Sequence, residues 1–127
     1  MTVWLSRDLV LGIHDEQVAE HGGAPGLRDK GLLESALARP LNLASYGEPD
    51  IAELAATYAV AIARNHPFVD GNKRTAYVCL ETFLTLNGMD FPASDADAVL
   101  MTLAIAARDI ADEEFTAWVR AHAVPQG

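Results

Sequence analysis

Apolar residues recur at helical spacing along almost the whole chain, and the alternation expected of strands is nearly absent. Ser6 can cap a first helix that carries Leu9, Ile13 and Val18 inward, and Gly22-Gly23 ends it. The stretch 22–27, with three glycines and Pro25, predicts a shaped loop. Asp29 caps a second helix bearing Leu32, Leu33, Ala36 and Leu37, which Pro40 is expected to stop, leaving 41–49 as loop. Asp50 followed by Glu53 resembles a capping box and opens a helix running to about Asn65. Alanine at 52, 55, 56, 59, 61 and 63 makes that helix thin, so neighbours can approach closely and its place is central. A fourth helix starts near Asn72 and ends at Asn87-Gly88. Ser94 with Asp97 caps a fifth from Asp95 to about Arg108, and a sixth starts after Asp112 and buries Phe115, Trp118 and Val119. The pattern predicts an all-α fold, one compact domain over residues 1–127 with its core within roughly 3–123.

Composition narrows the classes of function. Half of the 127 residues are apolar, which suits a globular domain and not a disordered chain. A net charge of −9 with no basic stripe argues against a nucleic-acid surface. Cys79 is the sole cysteine, which excludes an intrachain disulfide and fits a reducing compartment. Residues 1–8 lack the basic start and apolar run of a signal peptide, and the longest apolar stretch, 98–107, is too short to span a bilayer. The expectation is a soluble cytoplasmic protein without membrane contact.

One segment concentrates the chemistry: His66-Pro67-Phe68-Val69-Asp70-Gly71-Asn72-Lys73-Arg74. Pro67 disfavours helical geometry at His66, so this segment links the third helix to the fourth. Gly71 can take positive φ, and the helix start behind it offers unpaired N–H groups, an anion nest at the positive end of a helix dipole. Three of the nine Lys and Arg residues, Arg64, Lys73 and Arg74, fall within eleven positions. Cations in a first helical turn oppose the dipole, so Lys73 and Arg74 suggest a phosphate-bearing ligand. A solvated helix face is the plainer account of them. Phe68 suits burial beneath the loop. Asp70 is the only carboxylate between Glu53 and Glu81, and one carboxylate beside phosphates is what Mg²⁺ asks of a protein when a nucleotide supplies further ligands. Capping the next helix is a competing role for Asp70, and likewise for Asn72. An imidazole titrates near neutrality, so His66 can accept a proton from an attacking hydroxyl. Base, metal ligand and phosphate cradle together point to phosphoryl or nucleotidyl transfer.

This segment resembles the H-x-F-x-[D/E]-G-N-[G/K]-R signature of the Fic/Doc proteins, a dense and specific pattern. Lys73-Arg74-Thr75-Ala76 is similar to the Doc (death on curing) branch, and the likeness extends through His21-Gly22-Gly23-Ala24-Pro25-Gly26. The resemblance implies a Fic/Doc-like fold with His66 as base and Asp70 as the Mg²⁺ residue. It implies that Gly71, Asn72, Lys73 and Arg74 bind phosphate, with Arg64 near the nucleotide. Fic enzymes transfer AMP to protein hydroxyls. Doc toxins, placing ATP in the reverse sense, transfer its γ-phosphate. The Doc target class is elongation factor Tu, with translation blocked, and a Phd-type antitoxin inhibits them by folding into a groove.

Lys73 bears on which phosphate moves. Glycine, usual in Fic enzymes at this position, admits the α-phosphate close to the backbone, whereas lysine adds a Cβ and a long cation. Tyr77 stands where many Fic proteins have arginine; Gly71 and Pro67, by contrast, are closer to the Fic pattern. No Ser or Thr is followed four residues later by Glu, the pair on the inhibitory helix of self-inhibited Fic proteins. The leading expectation is thus an ATP-dependent kinase toxin restrained by a separate antitoxin. AMP transfer and a non-catalytic partner-binding module are the alternatives. His14, His21 and His122 lack spaced metal-binding partners and read as surface or packing residues.

Overall fold

The computed structural model describes residues Met1–Gly127. Six helices follow one another: α1 (Arg7–His21), α2 (Lys30–Tyr46), α3 (Ile51–Asn65), α4 (Asn72–Leu86), α5 (Asp95–Ala106) and α6 (Asp112–His122). Two two-residue strands, β1 (Met89–Asp90) and β2 (Val124–Pro125), pair antiparallel with Met89 opposite Pro125 and Asp90 opposite Val124. This clip ties the end of the chain to the exit of α4.

Helix α3 is the hub of the all-α fold. Ten of its fifteen residues are buried, and α2, α4, α5 and α6 all pack on it, while α1 lies on α4. The alanine positions make this possible, because a helix without long side chains can be approached from several sides at near-backbone distance. Larger side chains fill the gaps between helices. Tyr58, Phe83, Leu80 and Leu84 are fully enclosed, and the Tyr58 hydroxyl accepts a hydrogen bond from the Leu5 N–H at 3.1 Å.

Four helices begin where their capping residues predict. The Ser6, Asp29, Asp50 and Ser94 side chains accept from the N–H three residues on, Leu9, Leu32, Glu53 and Asp97 respectively. Asp50 does a second job: the Arg120 guanidinium of α6 donates to its two oxygens at 2.7 and 3.1 Å, tying α6 to the start of α3. That pairing holds the Asp50 carboxyl below the ordinary aspartate range. Both side chains are about half exposed, so the ion pair itself contributes little and the cap more. Asp50→Ala is expected to destabilise the fold by about 1–2 kcal/mol in thermal unfolding at neutral pH. A group with a lowered folded pKa stabilises above its unfolded value and loses that contribution as pH falls through the folded one. The gap between the variant and the native protein should therefore close below about pH 4.

Two expectations need correction. Pro40 does not stop α2, which continues through it to Tyr46, so residues 41–46 are helical and not loop. A proline costs a helix one N–H bond and a clash one turn back. Here the cost is offset, because Pro40 is itself buried and the continuing turns bring Leu43 and Ala44 against the core. In α1, Leu9 is exposed and Val18 only half-buried; the inward face is Val10, Ile13, His14 and Gln17. Those four positions form a regular helical stripe, but two are polar, which disguised it. Smaller differences also exist: α6 begins at Asp112 itself, after Ala111, and Trp118 is half-buried on the core edge.

Candidate active site

The loop between α3 and α4 is built from three fixed points. Helix α3 ends at His66, its C-cap, which takes the left-handed conformation at φ 55°, ψ 52°, a common way to end a helix but an uncommon one for a residue other than glycine. The Arg28 guanidinium then caps the exposed carbonyls, donating to His66 O at 2.8 Å and Asn65 O at 3.2 Å. Backbone N–H groups of Arg28 and Asp29 both donate to Pro67 O, at 2.7 and 3.0 Å. Nothing about Arg28 marks this role in the sequence, since its partners lie 37 and 38 positions away.

Phe68 is the second fixed point, fully buried under the loop as its position predicts. Its backbone is held from above by Asn72. The Asn72 Oδ1 accepts from Phe68 N–H at 2.9 Å while its Nδ2 donates to Phe68 O at 2.9 Å. These two bonds fix which way the amide points, so the Nδ2 that lies 3.1 Å from His66 Nδ1 is a donor there also. Neutral His66 therefore rests with its hydrogen on Nε2. Asn72 does not cap α4 with its side chain, and no other side chain caps it either; the amide is spent inside the loop and only its backbone N–H remains for an anion.

Asp70 is the third. Its Oδ1 accepts from Gly71 N–H at 2.9 Å and its Oδ2 from Ala24 N–H at 3.3 Å, in the glycine loop that follows α1. Gly71 precedes α4 at φ 75°, ψ 17°, the left-handed region where glycine pays no steric penalty. Gly23, at φ 113°, lies against the carboxylate, and a Cβ there would sit 2.7 Å from Asp70 Oδ2. The glycine loop thus exists in part to let the Asp70 carboxylate lie against the backbone. Asp70 is exposed, with lone pairs left after two N–H bonds. No group of three His, Cys, Asp or Glu side chains capable of holding a metal occurs in the structure. A one-carboxylate site of this kind fits Mg²⁺ only in company with phosphate oxygens and water.

These elements open on a cleft of about 420 Å³, lined by His66, Asp70, Gly71, Asn72, Lys73, Arg74, Tyr77, Val99, Thr102 and Leu103. Lys73 and Arg74 are exposed in the first turn of α4, and neither forms an ion pair within the chain. Two free cations thus stand beside uncapped helix N–H groups on a chain of net charge −9, an arrangement whose local field favours an anion. Tyr77 is held protonated by burial and by Glu81 and Asp95 nearby, which push its pKa upward. The wall opposite the loop is α5, through Val99, Thr102 and Leu103, none of which the sequence pattern singled out for a site.

Arg64 departs from its expected place. It does not line the cleft; its Nε donates to Ile105 O at 3.1 Å and it pairs with Asp112 at 2.7 Å, joining α3 to the end of α5 and the start of α6. The side chain is only 12% exposed, so nothing frees it for a ligand. His14 is the opposite case, a residue read as surface or packing that is buried and also reaches the loop, with Nε2 donating to Asp70 O at 2.7 Å.

Comparison with known proteins identifies a family. The pattern of the Fic/DOC family matches residues 4–84, which carry α1 through most of α4 and the whole loop. The chain is 40% identical over 86 residues to the protein kinase doc of Escherichia phage P1, covering 67% of this chain and 68% of that protein. It is 42% identical over 96 residues to toxin Doc of Mycolicibacterium smegmatis, covering 73% of this chain and 71% of that one. With a match over more than half of its length and two relatives at this identity, the chain belongs to the Fic/DOC family.

Proposed function

We propose that this protein is a toxin of the Doc type that transfers the γ-phosphoryl group of ATP to a hydroxyl of a protein. The observation that carries the reading is the pair Lys73 and Arg74, unpaired cations at the open start of α4 and beside His66 in one cleft. The names of the two relatives, one a kinase and one a toxin, support it.

Each residue then has a task. The Asn72, Lys73 and Arg74 N–H groups and the two side-chain cations bind the polyphosphate. Asp70 would hold Mg²⁺ against the phosphates, and the ion would supply neutralisation of charge on their oxygens. The acceptor oxygen bonds to the γ-phosphorus as the bond to the β-phosphate oxygen breaks and ADP leaves. The acceptor's proton passes to His66 Nε2. Since His66 rests with hydrogen on that atom, the accepting form is the other tautomer, reached by giving up the Asn72 contact, worth about 1 kcal/mol. Lys73 is the residue that favours the γ-phosphate. Its Cβ and stem occupy space that close approach of an α-phosphate to the backbone would need, while its ammonium reaches a terminal phosphate.

The acceptor protein in this reading is elongation factor Tu, with arrest of translation as the outcome, and a Phd-type antitoxin segment folded as a helix in a groove is the restraint. No helix of the protein is long and apolar enough to cross a membrane. AMP transfer is the second reading, favoured by Gly71 in the left-handed conformation, which exposes backbone at the loop apex. Incubation with a bacterial lysate and ATP labelled at either the α or the γ position separates the two. Label from the γ position on a protein band is expected; label from the α position rejects the kinase assignment.

A further inference from the structure

The signature loop lies between α3 and α4, yet the aspartate at its centre is held by its carbonyl from α1 and by its carboxylate from the loop that follows α1. His14 is 1% exposed, and its ring lies parallel to Phe68 with centroids 3.8 Å apart and planes at 6°. From that stack its Nε2 reaches Asp70 O at 2.7 Å, a short bond for this donor. A backbone carbonyl only accepts, so the ring carries its hydrogen on Nε2. The glycine loop that ends α1 holds the other end of the same residue, through Ala24 N–H on Asp70 Oδ2. Asp70 is thereby gripped at carbonyl and carboxylate by one helix and its exit, while Gly71 would carry a Cβ only 3.7 Å from the same imidazole.

We infer that His14 is a positioning residue for the phosphotransfer site, setting the place of Asp70 and the start of α4 through its bond to the Asp70 carbonyl. The reasoning is mechanical. The bonds of the loop from Pro67 to Gly71 gather on its first half: Pro67 O accepts from Arg28 and Asp29 N–H, Phe68 exchanges two bonds with Asn72 and Val69 N–H donates to Gly26 O, whereas Gly71 N–H reaches only the adjacent carboxylate. Phe68 anchors one half of it in the core. Asp70 lies two residues beyond that anchor and is exposed, so without His14 its carbonyl has only solvent and the loop can pivot about Phe68. A carboxylate that must meet a cation and phosphates together tolerates little such movement. The role rests on the nucleotide reading above for its consequence in binding, but the mechanical part stands apart from it and can be measured apart.

The test compares the native protein with His14→Phe, which keeps the stack and removes the donor, and His14→Gln, which keeps a donor and removes the stack. Amide hydrogen exchange is followed at Phe68, Val69 and Gly71 and in α3, and calorimetry measures Mg·ATP affinity. In H14F the three loop amides are expected to exchange about tenfold faster while α3 is unchanged. Mg·ATP affinity should fall by about 10–100-fold, as for other outer-shell partners of a metal-site residue, and H14Q should recover part of both losses. Loop exchange equal to native in H14F overturns the proposal. So does a rise shared equally by α3, which marks His14 as core filling only. If H14F does not fold, the native protein decides: a slowly exchanging Nε2–H imidazole proton of His14 is required, and its absence is equally fatal. Failure of the native protein to bind Mg·ATP would count against the phosphotransfer reading alone, leaving loop exchange to judge His14.

Discussion

His66→Ala is expected to slow phosphoryl transfer to protein by about 10²–10⁴-fold, the usual worth of a positioned base, with the helical content and melting temperature near native. The side chain is exposed at the mouth of the cleft, and its single side-chain partner, Asn72, keeps both of its Phe68 bonds without it. Truncation therefore removes chemistry and little packing. Alanine also accepts the left-handed turn at this position less readily than histidine does, so a small loss of stability is expected alongside. Rate is measured by single-turnover transfer from γ-labelled ATP, and fold by circular dichroism. Transfer within a few-fold of native would reject His66 as the base. Growth arrest that persists undiminished when H66A is expressed would favour the partner-binding module over any enzyme.

The largest structural effect is expected at Phe68. Phe68→Ala should destabilise the protein by about 3–5 kcal/mol, the range for deleting a buried aromatic ring. Few sites here combine so many dependencies. The ring is fully buried, it is the surface on which His14 lies, and its backbone carries both Asn72 bonds and the bridge to Leu27. A cavity at this point removes the floor of the loop, so ligand binding should be lost ahead of global unfolding. Chemical denaturation gives the free energy, and calorimetry with Mg·ATP at low temperature, where the variant is still folded, gives binding. A loss below about 1 kcal/mol with native affinity would mean that the loop does not depend on its aromatic anchor.

Most of the fold was legible because its signals are local. The Ser6, Asp29, Asp50 and Ser94 caps each act over three residues, and the alanine spacing of α3 announces a helix that neighbours crowd. Pro40 was misread for the complementary reason. Its intrinsic cost is local, but what offsets it, burial against the core, is tertiary. His14 and Gln17 concealed the true face of α1 in the same way, since a polar residue that finds a buried place leaves no periodic apolar mark.

The site divides along the same line. The sequence alone determined that a base, a carboxylate, a left-handed glycine and two cations stand together between two helices, because those residues are neighbours in the chain and their backbone preferences are their own. Tertiary structure decided which of them meet the cleft and what holds them there. It turned the Asn72 amide inward onto Phe68, tied Arg64 to Asp112, and brought Arg28, Ala24 and His14 from the first third of the chain to the ends of the loop. No spacing rule could report these contacts. Each satisfies a carbonyl or carboxylate that the loop itself leaves without a partner, and which distant group arrives to do so depends on how the helices pack.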